Sequence, residues 1–132
     1  MLKLSKSVIG EQEIQAVEAV LRRAYLGMGP EVREFEKELA EFFGKDVRVL
    51  CVNTGTAALH LAFQAIGLKP GDEVLVPSLT FVATFQAISA TGAIPIPCDV
   101  SLETGLLDLK EAQKRMGPAT RAIAPVHYAG AV

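Results

Sequence analysis

From residue 47 onward, short apolar runs alternate with helix-length stretches, and each change of pattern is marked by a glycine or a proline. The apolar runs cover 47–52, 73–76, 94–97 and 120–126, and the stretches 56–66, 80–90 and 108–116 between them are predicted helices. Gly67-Leu68-Lys69-Pro70-Gly71-Asp72, then Gly92, then Gly117-Pro118 stand where a helix must stop. Strand, turn and helix, repeated three times with a fourth strand to finish, predict an α/β fold. Its sheet is mostly parallel, with helices on both faces.

Ahead of that pattern lie two amphipathic helices. Over 11–23, Ile14, Val17, Val20, Leu21 and Ala24 recur at helical spacing with charged residues between them. The next six residues, Tyr25-Leu26-Gly27-Met28-Gly29-Pro30, read as a loop that ends on a proline suited to a first helical turn. A second helix over 30–43 places Val32, Phe35, Leu39 and Phe42 on one face, and Gly44 is its stop. The predicted organisation is a helical segment, 1–46, followed by the first part of an α/β domain, 47–132.

Composition sets limits on partners. With 132 residues, half of them hydrophobic, the chain has one domain's worth of core. A net charge of -2, from 13 basic and 15 acidic residues mixed along the chain, leaves no basic stripe for nucleic acid or an anionic membrane. No apolar run approaches the roughly 18 residues of a membrane span. Cys51 and Cys98 sit in apolar runs, and no secretory pattern opens the chain. Reduced, buried thiols and a cytoplasmic location are therefore expected, with no metal site.

In open parallel sheets, ligands bind beyond the carboxyl ends of the strands. Four groups occupy those positions: Asn53-Thr54-Gly55-Thr56, Pro77-Ser78-Leu79-Thr80-Phe81, Asp99, and His127-Tyr128-Ala129-Gly130. The first is the most informative, because a tight turn opening a helix offers unpaired N–H groups and the positive end of the helix dipole. Gly55 admits close approach of a ligand to the backbone, and the hydroxyls of Thr54 and Thr56 either donate to phosphate oxygens or cap the helix. Each of the others also has a structural alternative: Phe81 as a core residue, Asp99 as a turn cap, His127 as a satisfied strand-end histidine. A dinucleotide site is disfavoured, since no G-x-G-x-x-G follows the first apolar run.

Four motifs occur in order: residues 53–61 (NTGTAALHL), 70–74 (PGDEV), 77–84 (PSLTFVAT) and 125–130 (PVHYAG). Together with the leading Ile9-Gly10-Glu11 and the loop at 25–30, they closely resemble the sugar aminotransferase family, the DegT and StrS group, of fold type I pyridoxal phosphate enzymes. The resemblance implies the first part of that fold's large, cofactor-binding domain. It also implies that Thr54, Gly55 and Thr56 hold the cofactor phosphate and that Phe81 stacks on the pyridine ring. Gly27, Met28 and His127 would lie near the substrate, with no catalytic role assigned to His127.

Pyridoxal phosphate, a nucleotide-linked keto sugar, glutamate as amino donor, and a homodimer are the cofactor and partners that the resemblance implies. The chemistry needs a lysine to hold the cofactor and an acid to pair with the pyridine nitrogen. By the resemblance, both fall beyond residue 132. The seven lysines present, Lys3, Lys6, Lys37, Lys45, Lys69, Lys110 and Lys114, are poor substitutes, because none looks buried near the phosphate seat. The 132 residues alone are thus expected to be inactive, with at most weak non-covalent cofactor binding. The family arrangement also implies that the strand at 47–52 has no neighbour among the next three. Apolar surface around Leu50, Val76 and Ile123 is then expected to be left uncovered. The alternatives are a sugar dehydratase of the same family and a non-catalytic, truncated remnant or interaction module.

Overall fold

The computed structural model describes residues 6–44 and 46–132; Lys3 and Lys45 lie outside them. The chain forms two compact units, one ending at Cys51 and the other running from Val52 to Val132.

The first unit contains α1 (Glu11–Arg22) and α2 (Pro30–Phe43). Helix α1 begins after an extended Gly10, whose N–H donates to Glu13 Oε2 at 2.7 Å. That bond is the reciprocal half of a capping box and satisfies a backbone donor at the helix start. Glu11 and Glu13 in the first turn and Arg22 in the last complement the helix dipole. Pro30 occupies the first turn of α2, and Gly44 ends the helix at φ +127°. Ion pairs Arg22–Glu18, Arg23–Glu31 and Lys37–Glu34 decorate the two helices. Neither helix buries a residue.

The second unit alternates α3 (Gly55–Ala65), β1 (Glu73–Pro77), α4 (Ala83–Ser89), β2 (Ile94–Cys98), α5 (Leu109–Arg115) and β3 (Thr120–Ile123), and then a short 3₁₀ turn, Tyr128–Gly130. The strands form a parallel sheet in the order β2-β1-β3, with Leu75 opposite both Ile96 and Ile123. Central β1 is buried on both faces, as its unbroken apolar sequence requires. Val74 and Val76 point into one cluster with Phe63, Leu68, Ala87, Ile88 and Ala93, while Leu75 packs with Cys98 and Ala112 in another. The twofold period of the strand thus divides the core between α3 and α4 on one face and α5 on the other. At Gly92, φ is +85° and an added Cβ would come within 2.8 Å of Pro70, so glycine allows both the turn and the contact.

Three expectations need correction. Residues 47–52 form no strand: they have no ladder partner among the described residues, and Leu50 is 72% exposed. An apolar run becomes a strand only where a neighbour completes its hydrogen bonds, and, as expected above, none of β1, β2 and β3 pairs with this one. Val76 is fully buried rather than uncovered, because it belongs to that central strand; Ile123, on edge strand β3, is 43% exposed. The strand expected over 120–126 ends at Ile123, although the Ala124 N–H still donates to the Leu75 carbonyl at 2.9 Å. Pro125 then has no N–H to continue the ladder.

Candidate functional site

Helix α3 starts where Thr54 leaves the extended conformation at φ -150°, ψ 155°. Its Oγ1 accepts the Ala57 N–H at 3.0 Å, and its carbonyl accepts the Ala58 N–H at 3.1 Å. Thr54 is therefore the cap. Gly55 and Thr56 fill the first two helical positions, whose N–H groups have no intrahelical acceptor. No acidic residue occupies that first turn, so nothing there opposes the positive end of the helix dipole. A Cβ added at Gly55 would meet no protein atom within 4 Å. The glycine backbone is open to an approaching group.

Beside this helix start lies a cavity of ≈ 630 Å³, lined by Gly55, Thr56, Ala58, Leu59 and Ala62 of α3 and by Phe81, Ala83 and Thr84. Its volume is in the range of small-molecule sites, about 300–1,000 Å³. Phe81 is 78% exposed, which overturns the core alternative for this residue. The ring has little protein around it and borders the same space as the α3 start. No charged side chain lines the cavity, so an anion there would be met by backbone N–H groups and hydroxyls.

Among the other predicted positions, His127 is exposed and lines a separate, mostly apolar cavity of ≈ 540 Å³ with Leu106, Leu107 and Ile123. Asp99 is exposed, and its carbonyl accepts the Asp108 N–H at 3.0 Å. Gly27 and Met28 belong to the first unit, in the loop between α1 and α2, and Met28 is exposed. Both cysteines are free; Cys98 is buried, and desolvation raises its thiol pKa, whereas Cys51 is half-buried. A raised pKa keeps the Cys98 thiol protonated and a poor nucleophile. Among the described residues, no group of three potential ligands could hold a metal ion, and no helix is long and apolar enough to cross a membrane.

Leu59, Ala62 and Thr84 were not singled out from the sequence, although each lines the cavity. Helical periodicity from Gly55 puts Leu59 and Ala62 on the same helix face as Gly55, one and two turns on. For Thr84 the signal was its spacing of four from Thr80.

The family model described as the DegT/DnrJ/EryC1/StrS aminotransferase family matches residues 7–132. The chain belongs to this family. It is 40% identical over 131 residues to dTDP-4-dehydro-2,3,6-trideoxy-D-glucose 4-aminotransferase of Saccharopolyspora spinosa, covering 98% of this chain and 34% of that protein. To the spore coat polysaccharide biosynthesis protein SpsC of Bacillus subtilis it is 42% identical over 129 residues, covering 98% of this chain and 33% of that one. The chain thus spans about a third of the length of these relatives. Among solved structures, the sugar aminotransferase Spr1654 of Streptococcus pneumoniae in its PLP form matches with a TM-score of 0.88 at 33% identity, over 99% of this chain and 33% of that one. NtdA of Bacillus subtilis with bound PMP matches at 0.80 and 32% identity, over 90% of this chain and 28% of that one. The fold is that of the fold type I enzymes of this group, a parallel sheet with helices on both faces.

Proposed function

We propose that these residues form the phosphate-holding side of the cofactor site in a pyridoxal phosphate dependent aminotransferase acting on a nucleotide-linked keto sugar. The observation that carries the proposal is the shared cavity of Gly55, Thr56 and Phe81. Relatives in PLP and PMP forms with the same fold support it. The residues fit the group. Free N–H donors at the α3 start suit a phosphate, the open space at Gly55 lets it reach the backbone, and the exposed Phe81 ring suits a planar heterocycle.

When bound, the cofactor supplies an electron-accepting ring through which an amino group passes from donor to keto sugar. The Gly55 and Thr56 N–H groups and the Thr56 hydroxyl hold its phosphate, while Thr54 keeps the helix start in shape. Phe81 would cover one face of the ring, orienting it and excluding water. By the resemblance alone, Gly27, Met28 and His127 would each lie on the substrate side. Glutamate as donor, a homodimer and a cytoplasmic site of action belong to the same proposal.

Among the described residues no lysine lines the cavity, and Lys69 instead borders a different hollow with Asp72 and Arg121. This supports the finer proposal that the 132 residues alone bind the cofactor only non-covalently and do not transaminate. Borohydride treatment in the presence of pyridoxal phosphate should label the exposed lysines only non-selectively and give no turnover of a keto sugar; stoichiometric labelling of one lysine with turnover would refute this.

Gly55→Val tests the site itself. Its Cβ points into open space beside the helix, so melting should change little, while pyridoxal phosphate and inorganic phosphate should each bind about tenfold or more weakly. Unchanged affinity for both would reject the phosphate seat.

A further inference from the structure

Phe81 presents a physical problem if it is to orient a ligand. An aromatic side chain that is 78% exposed has little packing to hold it, and its neighbour Val82 is also exposed. Any rigidity must come from the backbone that carries it. Two contacts supply that rigidity from the same residue. The Thr84 N–H donates to the Phe81 carbonyl at 3.1 Å, and the Thr84 and Thr80 hydroxyls lie 2.9 Å apart, hydrogen-bonded to each other. The backbone bond ties Thr84 to Phe81 itself, and the hydroxyl bond ties it to the residue just before. At the other end of the loop, the Ser78 N–H donates to the Cys98 carbonyl at 2.8 Å, anchoring the chain as it leaves β1.

Thr84 suits this role by its surroundings. It is only 7% exposed, which limits the water that can compete for the bond. Val82 precedes α4 in an αR conformation with no side-chain cap bond, so the helix start does not itself fix the turn through a capping side chain. Thr80 is half-buried and is not among the residues that line the cavity, whereas Thr84 is.

We propose that Thr84, through its hydroxyl bond to Thr80, is a positioning residue that presets the Phe81 ring over the cavity. The inference rests on the reading of Phe81 as the ring-stacking residue. Without the bond, Phe81 samples more orientations, and binding must pay to order it. The cost falls on ligands that carry a ring. Inorganic phosphate, held at Gly55 and Thr56, does not feel it.

The test compares pyridoxal phosphate with inorganic phosphate as probes in the full chain. Thr84→Val and Thr80→Val should each weaken pyridoxal phosphate binding about 3- to 10-fold and leave phosphate affinity within about twofold. Thr84→Ser, which keeps the hydroxyl, should retain parental affinity for both. In a Phe81→Ala background, Thr84→Val should cause no further loss, because its effect passes through the ring. If Thr84→Val does not fold, Thr80→Val carries the same comparison at a residue outside the cavity lining. Equal pyridoxal phosphate affinity of Phe81→Ala and the parent would overturn the stacking role and this inference with it. Weakened binding by Phe81→Ala, with no loss in Thr84→Val and Thr80→Val, would overturn the inference alone. Parallel loss of both probes, or loss in Thr84→Val but not in Thr80→Val, would also overturn it, indicating respectively a general structural role and a direct contact.

Discussion

The two units of this chain carry similar proportions of apolar side chains but handle them in opposite ways. In the unit ending at Cys51, α1 and α2 have clear apolar faces, yet Ile14, Val17, Leu21, Phe35 and Phe42 all remain more than half exposed. Its order is local: a half capping box at Gly10 and Glu13, a proline at the start of α2, and ion pairs along the helices. In the unit from Val52 onward, Val74, Leu75 and Val76 are fully buried, each held by strands and helices distant in sequence. An amphipathic pattern states only that a face is suited to burial. Burial itself requires a second surface, and exposed ion pairs with caps contribute too little to replace one.

This contrast is open to direct tests. The largest expected difference is between core and helix-face truncations. Leu75→Ala should destabilise the second unit by about 2–5 kcal/mol, since the cavity left behind between β2 and α5 cannot close. Val17→Ala on the exposed face of α1 should stay within about 0.5 kcal/mol. Equal losses in urea titrations would break the comparison, by showing that the α1 face is covered in solution.

Hydrogen exchange reads the same difference without mutation. Amides of Leu75 and Val76, in the strand paired on both sides, should be the slowest to exchange, and those of α1 should exchange through local fraying. Comparable protection in α1 and β1 would contradict the local origin of order in the first unit.

The smallest effects concern acid. Hydrogen bonding from Arg115 lowers the pKa of Glu111 on α5, and the Gly10 N–H does the same for Glu13 on α1. A folded pKa below the usual 4.5 means that the stabilisation is present above that pH and is lost as pH falls through the folded value. Glu111→Gln should flatten the acid limb of the second unit's melting profile slightly. Glu13→Gln should reduce helical circular dichroism near neutral pH with little change in the main transition. If Glu13→Gln instead lowers the main transition as much as Glu111→Gln does, the two units melt as one.

Much of the fold was legible because it is written in short-range signals. Both helices of the first unit were placed to within a residue, since periodicity, Pro30 and Gly44 act within a few positions. Strands β1 and β2 were equally plain, each an apolar run bounded by a turn. The turn at 53–56 and Phe81 stood out because both follow strand-like runs at the same edge and fall in motifs of the family, and they do share one cavity. Residues 47–52 were misleading for the converse reason: the run has strand composition, but pairing depends on what lies alongside it. Val76 was misjudged in the same way, because its burial follows from the strand order β2-β1-β3, which composition does not contain.

By itself, the sequence determined where α1 and α2 start and stop, the α/β alternation, the family resemblance, and the turn at Asn53-Thr54-Gly55-Thr56. Each depends on backbone preferences or motifs confined to a few neighbouring residues. Only the tertiary structure decided that β1 is central and that Phe81 projects from the surface. It also decided that Thr84 is buried and borders the same cavity as the start of α3. These depend on which surfaces exclude water and which partners complete a hydrogen bond, and those are properties of segments brought together by folding.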